Sequence, residues 1–189
     1  MTYWLDLIGS YIIAGAIILM IGKLNIYILN SANESMSSNL RQLTVTTSAD
    51  IINYDFYKIG YRITGDKIVE ADEDKIKFYS DIDDNGAADT IYYYTGNVSE
   101  LSSTPNPSDK LLYRILNNEA PLSSNAVTDF KLTYYDSSNT EISYGKLNSQ
   151  NWRDYIKTIK IYLKVESPEP VDTAYQVVEW QKKITPKNL

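Results

Sequence analysis

The strongest pattern along the chain is an apolar run, Leu7 to Leu29, reading LIGSYIIAGAIILMIGKLNIYIL: 23 residues with one charge, Lys23. A membrane-spanning helix needs about 20 apolar residues. Gly9, Gly15 and Gly22 weaken a soluble helix but are common in membrane helices. Tyr3, Trp4 and Tyr27 stand near the two ends, where aromatic belts form. A cleaved signal peptide would need a basic start and a good small-residue cleavage site. No Lys or Arg precedes the run, and Asn30-Ser31-Ala32 is a poor site. A buried core helix of a soluble protein is rarely so long and so apolar. The pattern therefore favours an anchor, with Lys23 snorkelling to an interface or pairing within an assembly.

Beyond Leu29 the periodicity changes. No Pro occurs before position 105, and no Gly between Gly22 and Gly60. Met36, Leu40, Leu43, Thr47, Ile51, Asp55 (a break) and Ile59 recur at spacings of three and four, and Ile52 and Phe56 widen the stripe. The spacing predicts a helix from Thr2 to Ile59, roughly 85 Å long at 1.5 Å per residue, stopped by Gly60. The β-branched run Thr44–Thr47 weakens it locally, and the Asn/Ser-rich stretch 30–39 is a candidate linker or kink.

Downstream, Tyr- and Ile-rich runs alternate with turn residues and predict strands at Lys67–Glu70, Lys75–Ser80, Thr90–Thr95, Lys110–Leu116, Phe130–Tyr135, Ile156–Glu166 and Tyr175–Ile184. Ile159, Ile161, Leu163 and Val165 alternate with polar residues, so one face of that strand is buried. Ser99–Asp109 and, more loosely, Ser137–Asn151 read as loops. Connections this short favour antiparallel pairing. The expected fold class is α+β, a long N-terminal α-helix packed on an antiparallel β-sheet domain. Its expected parts are a membrane or filament-core helix (1–29), its amphipathic continuation (30–60) and a β-rich globular domain (61–189).

Composition narrows the chemistry. The chain has no His and no Cys, which removes the commonest general base and zinc ligands, thiol nucleophiles and disulfides. A net charge of −6 argues against nucleic acid as a partner. Tyr is abundant at 17 residues, against three Phe and three Trp, and suits half-exposed strands. No phosphate-binding loop, nucleophile elbow or dinucleotide fingerprint is present. Asn97-Val98-Ser99 matches a glycosylation sequon, a pattern frequent by chance. The acidic pairs Glu70/Asp72 and Glu73/Asp74 read as solvated loop charge, since nothing fixes two carboxyls at a catalytic separation. The chain reads as non-enzymatic, without a small-molecule substrate.

One motif carries candidate chemistry. Residues 81–89 read Asp-Ile-Asp-Asp-Asn-Gly-Ala-Ala-Asp between strand-like KIKFYS and TIYYYT. Oxygen ligands from Asp81, Asp83 and Asn85 can wrap a hard cation, with Gly86 at the sharp turn, the Ala87 carbonyl inward and Asp89 closing the loop. Position 12 of an EF-hand, a bidentate Glu, is here Tyr92, so the loop resembles instead the calcium loops that join strands in extracellular repeats. A structural Ca2+ and a bare Asx-rich hairpin turn both fit the pattern.

Four features in order resemble type IV pilin-like proteins, particularly minor pilins of the PilW type and J-class pseudopilins of type II secretion. They are the apolar-then-amphipathic helix; Asp55-x-x-x-x-Gly60-Tyr61 at its end; FYSDIDDNGAADTIYYY; and the tail WQKKITPKNL. The opening MTYWLDLIGSY puts Leu5 where that family has Glu, with Asp6 one residue later, so no leader cleavage site is carried over. The resemblance implies a single-pass inner-membrane subunit with its globular domain in the periplasm or outside the cell. Such subunits assemble through their N-terminal helices with other pilins or pseudopilins, and lipid is their partner before assembly. A membrane-tethered binding module, an adhesin or sensor ectodomain, would share the anchor and the acidic loop.

Overall fold

The computed structural model of the protein describes residues 2–117, 119–170 and 173–189. The chain forms two compact units, residues 1–40 and 41–189. One α-helix, α1 (Thr2–Tyr57), supplies the whole described part of the first unit and the leading element of the second. The architecture is α+β, as the patterning predicts.

In the second unit, two antiparallel sheets follow the helix. The first has the order β1 (Ile68–Ala71), β2 (Lys75–Ser80), β3 (Asp89–Thr95), β4 (Lys110–Leu116), β5 (Leu122–Val127). The second has the order β7 (Glu141–Ile142), β6 (Asp129–Tyr135), β8 (Thr158–Glu166), β9 (Val177–Ile184). A short helix, α2 (Gln150–Asp154), precedes β8. Each predicted strand is present, shifted by two residues or fewer at its ends. Strand β8 buries Ile159, Ile161, Leu163 and Val165 on one face, as its alternation requires.

The sequence did not announce β5, β7 or α2. Strand β5 reads LSSNAV, polar and at a sheet edge, and β7 is only two residues long. Neither carries the apolar alternation that marks a half-buried strand. Overlapping the start of the predicted loop Ser99–Asp109, Val98–Leu101 forms a 3-10 turn capped by Asn97, whose side chain accepts from the Ser99 N–H at 3.0 Å. Asn97 of the sequon thus has a local structural role.

The helix buries only part of the stripe its spacing suggested, namely Ile52, Asp55, Phe56 and Ile59. Leu43 and Ile51 are exposed, as is Thr47, and in the first unit so are Met36 and Leu40. The covered residues are Val45, Ser48, Ala49, Ile52, Asp55, Phe56 and Ile59. The reason is helical geometry: each step of four overshoots a turn by about 40°, so Leu43 and Ile59 end up about 160° apart. Steps of seven fall only about 20° short of two turns, which keeps Val45, Ile52 and Ile59 on one side. Phe56 anchors that side, with ring centroids 5.7 Å from both Phe78 on β2 and Tyr93 on β3.

Helix, first sheet and second sheet share one hydrophobic core, which includes Ile52, Phe56, Ile76, Phe78, Ile91, Phe130, Leu132, Ile161 and Leu163. The β1–β2 turn ties the sheets together: the Leu132 N–H donates to the Glu73 carbonyl at 2.7 Å and the Tyr134 hydroxyl to the Asp72 carbonyl at 2.9 Å.

Gly60 follows the helix in the left-handed region, at φ +74°, and its N–H donates to the Tyr79 carbonyl at 2.9 Å. A Cβ there would lie 2.8 Å from Lys67 Cδ and 3.3 Å from the Asn188 carbonyl oxygen. The helix end and the C-terminal tail therefore meet over a position with no room for a side chain. Gly60→Ala is expected to cost about 1–2 kcal/mol from the backbone alone. That is a fall in Tm of about 2–8 °C on thermal denaturation of the full chain; an unchanged Tm would contradict a left-handed conformation at this position.

Candidate functional site

Two features stand out from the scaffold. The first is the N-terminal part of α1. Every large apolar side chain from Tyr3 to Leu29 is exposed, from 48% for Leu7 to 86% for Tyr3. The exposure follows the whole circumference, since neighbours such as Ile12 and Ile13, or Ile17, Ile18 and Leu19, point around the axis at about 100° per residue. Ser10 satisfies its hydroxyl within the helix, donating to the Leu7 carbonyl at 2.8 Å. Among the described residues this is one helix long and apolar enough to cross a membrane, which fits single-pass anchoring.

The second feature is the acidic loop between β2 and β3. The loop lies against the segment that follows the helix. Ser80 Oγ donates to the Lys58 carbonyl at 2.7 Å, and the Asp81 N–H to the Tyr61 carbonyl at 3.0 Å. Strand pairing of Ser80 with Asp89 then brings the two ends of the loop together. Asp81 and Asp89 are buried and Asp83 is exposed; one carboxylate oxygen from each lies within 4.8 Å of the others.

Hydrogen bonds within the loop set its shape. Asp81 Oδ2 accepts from the Gly86 N–H at 3.1 Å, Asp83 Oδ1 from the Asn85 N–H at 3.2 Å, and Asn85 Oδ1 from the Ala87 N–H at 2.7 Å. Asp89 Oδ2 accepts from the Ile82 N–H at 2.9 Å. Asp84 and Gly86 adopt positive φ, 61° and 88°, which an Asp or a Gly tolerates at a tight turn. Of the five residues that the spacing selects, Asp81, Asp83 and Asp89 converge. Asn85 lies between them in the loop, its amide nitrogen donating to Asp83 Oδ2 at 2.8 Å and its Oδ1 accepting from the Ala87 N–H.

Three further residues frame the loop from distant positions. Arg62 Nη1 donates to Asp81 Oδ2 at 3.2 Å, and that bond raises the pKa of the guanidinium. Lys58 Nζ donates to the Ile82 carbonyl at 2.8 Å and lies 3.5 Å from Asp84. Asn117 Nδ2 donates to Asp89 Oδ1 at 2.9 Å. Lys58 and Arg62 flank the Gly60-Tyr61 junction, so two cations beside that junction were a sequence signal for an acidic partner. Asn117, 28 residues from Asp89, left none.

No family model, curated protein or solved structure matches the chain.

Asp55, a break in the apolar stripe, turns out to be a structural centre. It is 1% exposed and accepts from Arg114 Nε at 2.6 Å, Arg114 Nη2 at 3.2 Å and the Tyr93 hydroxyl at 2.5 Å. Burial pushes the Tyr93 hydroxyl well above its ordinary pKa, and the Asp55 charge adds to the shift. The remaining acidic residues of the first hairpin lie on the surface. Glu70 pairs with Lys75 at 2.7 Å and Glu73 with Lys131 at 3.6 Å, all four at least about a third exposed.

Proposed function

We propose that this chain is a non-enzymatic structural subunit. It is anchored in a membrane by its apolar N-terminal helix and assembles through that helix with other apolar-helix subunits. The observation that carries the reading is the division within α1. Residues 3–29 are apolar and uncovered all round, whereas Val45, Ile52, Phe56 and Ile59 of the same helix are built into a folded core.

A plain tether needs only a span and a linker. Here the span and a core element belong to one helical segment of 56 residues. In lipid, such helices associate through side-chain packing and small residues that allow close approach. Gly9, Ala14, Gly15, Ala16 and Gly22 provide such positions.

The reading corresponds to a minor pilin or pseudopilin, of the PilW type or the J class of type II secretion. Two of the resemblances have a shared structural basis, because Gly60 of the helix-end motif abuts Asn188 of the tail. In that role the β-rich domain faces the periplasm or the exterior, and the partners are other pilins or pseudopilins. The test is photo-crosslinking from the apolar helix in cells that express the full chain. Adducts to other helix-bearing subunits support the proposal, and adducts to lipid alone contradict it.

A further inference from the structure

We propose that loop 81–89 is a calcium site, with Asp81, Asp83 and Asp89 as carboxylate ligands. The inference rests on the loop and is independent of the anchoring function.

Three side-chain oxygens within 4.8 Å of one another fit around a single ion, because calcium–oxygen distances of about 2.4 Å place opposite ligands about 4.8 Å apart. An acidic cluster alone would not establish a site, since exposed carboxylates gather without ions. The decisive observation is Asp81. It is 1% exposed, and its Oδ1 is a buried oxygen without a hydrogen-bond donor, although Oδ2 receives both Arg62 and Gly86. Buried polar oxygens are nearly always partnered, and a carboxylate oxygen is among the costliest to leave unpaired. A divalent cation held by Asp81 together with Asp83 and Asp89 would supply that missing partner.

The other ligands retain capacity to bind. Each Asp89 oxygen accepts one hydrogen bond, from the Ile82 N–H and from Asn117, which leaves a further lone pair on each. Asp83 lies at the solvent side, where an ion would enter. The charge balance agrees. Among the described residues, the cations beside Asp81, Asp83, Asp84 and Asp89 are Lys58 and Arg62, a surplus of two negative charges. An oxygen-only, acidic ligand set selects a hard cation over the transition metals. Bound there, calcium would fasten the β2–β3 connection to the end of the helix through Asp81 and Arg62.

The test is calorimetric titration of the chelator-treated full chain in detergent with calcium chloride, alongside thermal denaturation. Saturable binding is expected, with a rise in Tm of about 5–10 °C at calcium 100-fold above Kd. Asp81→Asn is the direct variant, but it also removes charge from Arg62 and can disturb folding. Asp83→Asn avoids this, since Asp83 is exposed, and should weaken binding at least about tenfold. Asp84→Asn should change affinity by less than about threefold, because Asp84 lies outside the converging set. Absence of saturable binding and of any Tm shift up to about 10 mM calcium, well above the range of extracellular modules, would overturn the proposal. Equal weakening by Asp83→Asn and Asp84→Asn would also overturn it, because the loop would then only attract cations diffusely.

Discussion

Asp55→Ala is expected to destabilise the unit formed by residues 41–189 by about 3–5 kcal/mol, an effect comparable to a core truncation. Asp55 is almost fully buried and holds both Arg114 and the Tyr93 hydroxyl. Removing it leaves a guanidinium and a phenol facing a core without an acceptor, and the loss is mainly that uncompensated desolvation. Arg114 keeps 20% of its side chain in solvent, so the lower half of the range is expected. A double substitution, Asp55→Leu with Arg114→Leu, should recover much of the loss because no unpaired charge remains. The exposed pair of Glu73 with Lys131 serves as a control: Glu73→Ala should cost less than about 1 kcal/mol. Urea unfolding of the full chain, followed by circular dichroism, reads all three. A loss for Asp55→Ala as small as that of the control would show that water reaches the pair.

The second large effect concerns the anchor. Ile17 and Ile18 sit near the middle of the apolar run, at 50% and 69% exposure. Each Ile-to-Asp change at a helix centre shifts insertion by about 3–4 kcal/mol, so Ile17→Asp with Ile18→Asp together oppose it by about 6–8 kcal/mol. The double variant should leave the carbonate-resistant membrane fraction, whereas Ile17→Leu with Ile18→Leu should stay in it. Retention of the double Asp variant in the membrane would mean that something other than residues 7–29 holds the protein there.

What the sequence revealed depended on how local each signal was. The stop at Gly60 was legible because a left-handed position after a helix asks for glycine. Strand β8 was legible because its burial repeats every second residue. Asp81, Asp83 and Asp89 were legible as a group because one loop carries all three. The buried helix face was legible only in part, through Ile52, Phe56 and Ile59, because apolar residues are plentiful on both sides of it. Leu43 and Ile51 fit a stripe as well as Val45 and Ile52 do, and only packing decides between them. Asp55 looked like an interruption, since its partners Tyr93 and Arg114 are 38 and 59 residues away. Asn117 stayed hidden for the same reason, whereas Lys58 and Arg62 showed as two cations beside Gly60-Tyr61 without revealing which acidic segment they meet.

The exposed apolar face of residues 3–29 is the feature on which the functional account depends. The most direct measurement is photo-crosslinking with a probe at Ile17, in cells that make the full chain, with a second probe at Tyr155 on the domain surface. The account predicts that Ile17 gives covalent dimers or adducts with other helix-bearing subunits, and that Ile17→Asp with Ile18→Asp moves a Tyr155-probed chain out of any such assembly. Adducts of Ile17 with lipid alone, in a chain that remains monomeric, would contradict it and would make the protein a tethered module that acts by itself.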